Sequence, residues 1–279
     1  MNNTFSFNRF KNLLLKDGKM YIRNYGTALI VFCCLNAIFW IFNLLFGTSS
    51  EQPFRFGMLC TWTALAMMMV PEKVFGKANL SREGVSFAML PASTLEKFIS
   101  MFLYCAIVTP IIVFFGGYLV DTLLSLFPFG GFEKPIHLYT INDFVHMVDN
   151  SEGVVQSSNM DIAFTDVFPI GVIRTSLYMG IIQWAAIYML GNMLFKKHKA
   201  GKTFACYLGI SYVLSTIFGA VLVSNGNRLG QWFENVDSLP AEEMIQLAHT
   251  GMILGMVVAI IITAVLLYFT YRKIKTQKY

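Results

Sequence analysis

Charge is scarce in this chain. Only 13% of its 279 residues are Asp, Glu, Lys or Arg, against 56% that are hydrophobic, where a soluble domain carries roughly 25% charged residues. That shortage excludes a solvated globular domain as the starting expectation. Acids are scarcer still, 16 against 21 basic residues. The resulting +5 balance is spread over the ends of apolar runs, which argues against nucleic acid and for anionic lipid headgroups as the counter-charge. The five cysteines (Cys33, Cys34, Cys60, Cys105 and Cys206) all lie inside apolar runs. Neighbouring Cys33 and Cys34 would leave a helix on different faces, so no disulfide framework is readable.

Catalytic signatures are lacking too. Gly201-Lys202-Thr203 copies the end of a phosphate-binding loop, but Lys196 stands where that loop needs its first glycine and an apolar span precedes it. No nucleotide cradle is expected there. Glu242-Glu243 resembles the paired glutamates of intramembrane prenyl-processing proteases, yet their motif requires an arginine where this chain has Leu247. Neither Gly-x-Ser-x-Gly nor His-Glu-x-x-His occurs. His137, Asp143, His146 and Asp149 could meet around a metal, but the last three, spaced by three, drift round a helix and read as solvated surface. The chain is therefore expected to be no enzyme and to need no cofactor.

What the chain does have is long apolar runs and a segregated charge pattern. Crossing a hydrocarbon core of about 30 Å takes roughly 20 mainly apolar residues. Six stretches qualify: 25–46, 56–75, 98–119, 170–195, 203–223 and 250–271. The second is interrupted by Pro71, but without it every later connection would change sides. Seventeen of the basic residues fall in four segments: Arg9 to Arg23, Glu72 to Lys97, the tetrad Lys196, Lys197, Lys199 and Lys202, and the tail from Arg272 to Lys278. Those segments hold only Asp17, Glu72, Glu83 and Glu96 of the acids. The positive-inside rule places all four, and both termini, in the cytoplasm of a cell with an inner membrane. Arg55, Lys134, Arg174, Arg228 and the other 12 acids then belong to the opposite side. The expected fold is an all-α integral membrane protein of six transmembrane helices in a single domain.

Several smaller expectations follow. Phe7, Phe10 and Leu14 recur among Asn8, Arg9, Lys11 and Lys16, which predicts an interfacial amphipathic helix over residues 1–24. The first apolar run ends in Gly47-Thr48-Ser49-Ser50 without a small-residue cleavage site, and reads as a retained signal anchor. Ser93-Thr94-Leu95-Glu96 after Pro91 is a capping box that starts the third span. The acid-rich outer loop, 120–169, carries a short amphipathic segment at 140–148. Asn36 and Asn43 in the first span, and Gln183 and Asn192 in the fourth, either hydrogen-bond between helices or line a path. Asp121 and Arg174 fall near the outer boundary as a candidate ion pair. Gly251 and Gly255 permit close helix packing.

Six spans, an amphipathic N-terminal helix, a substantial inside segment between the second and third spans, and no nucleotide site together resemble the permease subunit of a type-two (ABC-2-like) ATP-binding cassette exporter. The run Met89-Leu90-Pro91-Ala92-Ser93-Thr94-Leu95-Glu96-Lys97-Phe98 is similar to one in compact permease-like membrane proteins of Bacteroidetes. The resemblance implies a dimer, either a homodimer or a pairing with a second permease, each subunit docking a separate cytosolic ATPase. It implies that residues 72–97 are the coupling region, with Arg82, Glu83, Phe87, Met89, Leu90 and Glu96 as ATPase contacts. The family places its larger outer re-entrant element between the last two spans, here 229–248. The implied cargo is a lipid-like, peptide or drug substrate moved outward. The alternative is a non-transporting membrane-embedded assembly protein that docks partners through its acidic outer loop.

Overall fold

A computed structural model of the chain describes residues 5–47, 49–80, 84–127, 132, 134–136, 170–224 and 241–276. Among these residues all regular structure is helical, in six long helical rods. Five are long and apolar enough to cross a membrane: Phe7–Phe46, Gln52–Asn79, Thr94–Ser125, Arg174–Leu194 and His249–Thr276. The predicted span 203–223 lies within a sixth helix, Lys199–Ser224, which is not among those five; the side chains of 218 and 221–223 are outside the described residues.

The first rod is α1 (Phe7–Cys34) followed by α2 (Asn36–Phe46), with a single-residue break at Leu35. The predicted boundary between an interfacial helix and the first span, near residue 24, is not a break. α1 runs through it, because Leu13, Asp17, Tyr21, Tyr25 and Leu29 form one buried stripe spaced by four that spans the boundary. Phe7, from the predicted apolar face, is instead 69% exposed. α2 stops at Gly47, whose φ of 62° is the left-handed cap that glycine adopts without steric cost.

α3 (Gln52–Phe75) begins with a proline in its first turn, where a missing N–H costs nothing, and continues through buried Pro71. A 3₁₀ turn, Gly76–Asn79, closes it. A five-residue helix, α4 (Gly84–Ala88), leads to α5 (Thr94–Phe102). The expected capping box is formed: Ser93 Oγ accepts from the Glu96 N–H and Glu96 accepts from the Ser93 N–H. α5 passes through a π turn, Leu103–Val108, into α6 (Thr109–Ser125), making one rod of 32 residues. α7 (Ile170–Leu194), α8 (Lys199–Ser224) and α9 (Ala241–Thr276) complete the described chain. The amphipathic segment expected at 140–148, the loop after 136, and residues 229–240 of the expected re-entrant element lie outside the described residues; 241–248 are helical turns of α9.

The chain divides into two compact units. The first comprises 1–138, 181–203 and 264–279. Its core joins Tyr21, Tyr25, Ala66, Val70, Cys105 and Met189 with their neighbours. Its small members, Ala66, Cys105, Ala106 and Ala185, suit a bilayer, where close packing and hydrogen bonds hold helices together because lipid tails are as apolar as leucine. The second unit, 139–180 and 204–263, presents apolar side chains outward, among them Tyr212 at 75% and Leu254 at 67% exposure. In water such a surface would aggregate, whereas hydrocarbon would solvate it.

One close approach in the first unit is testable. A Cβ on Gly191 of α7 would lie 2.7 Å from Cβ of buried Thr203 in α8. Gly191→Ala is expected to destabilise the detergent-solubilised protein by about 1–3 kcal/mol through overpacking, although helix propensity alone would favour alanine by about 1 kcal/mol. A melting temperature at or above the wild-type value would contradict the packing described.

Candidate functional site

The first turn of α5 is where the structure concentrates polar side chains from distant parts of the sequence. Glu96 is fully buried, and its carboxylate accepts from the backbone N–H of Ser93 at 2.8 Å and of Ser6 at 2.8 Å. The Arg9 guanidinium adds a third contact at 3.4 Å. One turn on, Ser100 donates to Asp17 at 2.6 Å, and Tyr104 donates to the Leu14 carbonyl at 2.9 Å. Farther along, Tyr21 and Thr109 share a hydrogen bond of 3.0 Å, and Tyr25 donates to the Ala66 carbonyl at 2.8 Å. α1 is thus fastened to α5, α6 and α3 by a ladder of buried bonds. Such bonds are retained in hydrocarbon because water cannot replace them.

Lys97, beside Glu96, faces the other way. Its ammonium donates to the carbonyls of Phe87 at 2.8 Å and Ala88 at 3.1 Å, the last residues of α4, and lies 5.2 Å from the centre of the Phe87 ring. A lysine on terminal carbonyls satisfies acceptors that a helix end leaves open. With only five residues, α4 has almost no intrahelical bonding of its own, so this clamp fixes its position relative to α5.

A second set of bonds ties the end of α3 to the α7–α8 turn. Asn192 donates to the Phe75 carbonyl at 3.3 Å, Asn79 to the Phe195 carbonyl at 3.1 Å, and Glu72 accepts from the Ala200 N–H at 2.7 Å. Lys199, buried, donates to the Gly76 carbonyl. Burial pushes its ammonium below the ordinary lysine range, and nearby Glu72 partly restores it. His198 takes a φ of 49° in the turn itself. The basic segments 72–97 and 196–202 therefore meet at one end of the helices.

At the other end of α3, Arg55 and Asp121 form a buried pair. One guanidinium nitrogen, Nη1, reaches both carboxylate oxygens, at 2.8 and 2.9 Å, and the two side chains are 1% and 0% exposed. Arg55 also donates to the Lys134 carbonyl and stacks 4.0 Å from the Phe132 ring, while Asp121 accepts from the Ile136 N–H at 3.1 Å. From Arg55 to Phe75 is 20 residues, about 30 Å along the axis, the thickness of a hydrocarbon core.

Several expected sites change in this light. Asp121 pairs with Arg55, while Arg174, its expected partner, is exposed; an arginine on the antiparallel α3 was overlooked in favour of one at a neighbouring span boundary. Glu96, an expected ATPase contact, is buried with its oxygens bonded to Ser6, Ser93 and Arg9. Among the other proposed contacts, Met89 is 77% exposed, Phe87 and Leu90 are partly buried, and Arg82 and Glu83 lie outside the described residues. Asn192 donates to the Phe75 carbonyl and Asn43 to Ser50 at 2.7 Å; the side chain of buried Asn36, next to the Leu35 break, has no hydrogen-bond partner among the described residues. Gln183 is partly buried. His137, Asp143, His146 and Asp149 lie outside the described residues. Asp17, Arg55 and Lys97 were not singled out as site residues. The spacing of four through Leu13, Asp17, Tyr21 and Tyr25 was the available signal for the first of them.

No protein-family model matches the chain, and no curated protein or solved structure is significantly similar to it.

Proposed function

We propose that this chain is the permease subunit of an ATP-binding cassette exporter of the type-two class, energised by a separate cytosolic ATPase and working as a homodimer or beside a second permease. It performs no chemistry itself; its helices supply the path. The observation that carries this reading is the clamp from Lys97 to the end of α4. A displaced α4 pulls directly on the first turn of α5, and α5 continues through α6 as one membrane-length rod. Through Glu96 and Asp17 the same motion reaches α1. Met89, directly after α4 and well exposed, is the docking residue of choice.

Affinity purification from mild detergent followed by mass spectrometry tests the proposal. Wild-type protein is expected to carry a cassette ATPase, and Met89→Asp to recover roughly tenfold less of it, since a charge is placed in an apolar contact. Membrane insertion should be unchanged. A wild-type preparation without any ATPase overturns the exporter reading; an M89D preparation with full ATPase overturns only the docking residue.

A further inference from the structure

The basic half of α1 carries a concave surface that the transport reading does not use. A groove of about 510 Å³ is lined by Asn12, Leu15, Lys16, Lys19, Met20 and Arg23. Asn12, Lys16, Lys19 and Arg23 are spaced by four, three and four, which puts them on one face of the helix. All four are exposed, on the side away from the buried stripe of Leu13, Asp17, Tyr21 and Tyr25. Three cations thus line up within about 10 Å of helix.

The identity of the counter-ion follows from what lies next along the same face. Seven residues beyond Lys19 is Gly26, and seven beyond Arg23 is Ile30, which is 68% exposed. The face therefore changes from cationic to apolar within two turns, and it does so where the first apolar run of the sequence begins. A soluble anion would use only the lower half of this surface. A molecule with a phosphate head and hydrocarbon tails uses all of it. Leu15 and Met20 flank the cations with apolar walls of the kind that exclude water from a headgroup phosphate.

We propose that this groove seats the headgroup of an anionic phospholipid of the adjacent leaflet, with the acyl chains lying against Gly26 and Ile30. A cation near a membrane surface is worth about fivefold in affinity for anionic lipid. Three acting together give about a hundredfold preference over a zwitterionic lipid of the same chain length. The site does not depend on the exporter reading, because it needs only the α1 rod and a bilayer.

Native mass spectrometry of the full-length protein in detergent, titrated with phosphatidylglycerol or chain-matched phosphatidylcholine, tests it. The wild type is expected to retain phosphatidylglycerol preferentially, and the triple variant K16Q/K19Q/R23Q to lose that preference by about a hundredfold. The charge-conserving variant K16R/K19R/R23K should keep it. So should K196Q/K197Q/K202Q, which removes three exposed cations elsewhere. Equal loss in both glutamine variants, or equal retention in both, overturns the proposal. Displacement of bound phosphatidylglycerol from the wild type by millimolar inorganic phosphate overturns it as well, since the groove would then be a free-anion site.

Discussion

Arg55→Met is expected to cost about 3–5 kcal/mol of stability. The reason is what it leaves behind. Asp121 would remain fully buried with a lone backbone donor, Ile136, facing its charge, and an unpaired carboxylate has nowhere to go in a low-dielectric interior. Asp121→Leu is expected to be comparably harmful, because the guanidinium would keep only the Lys134 carbonyl and the Phe132 ring. The double variant R55M/D121L removes both charges and should recover most of the loss, as buried pairs replaced by apolar residues of similar volume often do. Thermal unfolding of the detergent-solubilised protein, followed as a double-mutant cycle, supplies the coupling energy. Single variants indistinguishable from wild type, or a double variant as unstable as the sum of both, would show that the pair does not hold this end of the helices together.

Glu96→Ala comes next, at about 2–4 kcal/mol. One carboxylate serves as the capping partner of α5 and as the anchor of the chain entering α1. Truncation strands the N–H groups of Ser93 and Ser6 and leaves Arg9 without its carboxylate contact. Losing a cap alone costs about 1 kcal/mol; the remainder comes from the two backbone donors left without their carboxylate. The signature is local. Hydrogen exchange in the first turns of α1 should accelerate together with exchange at the start of α5, because a single group restrains both. Glu96→Gln, which keeps one acceptor oxygen, should fall between the two. Acceleration confined to α5 would mean that the link to α1 contributes nothing.

The helical plan was legible in the sequence because hydrocarbon imposes a length and a composition that few residues can disguise. Each of the six apolar stretches maps onto a helical rod, the first across the Leu35 break and the fourth one residue past the end of α7, and Ser93 and Glu96 announced the start of the third rod by a local rule involving only four residues. What escaped was every relation across the fold. That Asp121 faces Arg55 depends on α3 and α6 running antiparallel at a particular register, which no spacing within either segment records. Glu96 looked like a surface acid because its cap function is local, whereas its enclosure depends on Ser6 and Arg9, about 90 residues away in the chain. The stripe through Asp17 and Tyr21 was readable in principle. Its tyrosines and aspartate concealed it, since polar side chains are discounted when an apolar face is sought.

The π turn in the third rod has a consequence for how far that rod can be edited. Lys97, Met101, Cys105, Thr109, Val113, Gly117 and Asp121 are all buried, each four positions after the last. In an ideal α-helix every such step slips by about 40°, so six steps would carry Asp121 roughly 240° away from Lys97. The wider turn takes up the rotation of about one residue, near 100°, and so cuts the winding of the stripe to about 140°. The extra residue works as a vernier: it sets the angle between the end that holds Glu96 and Ser100 and the end that meets Arg55. Deleting any single position between 103 and 108 would leave both ends helical and both chemically intact, yet facing directions that no longer agree.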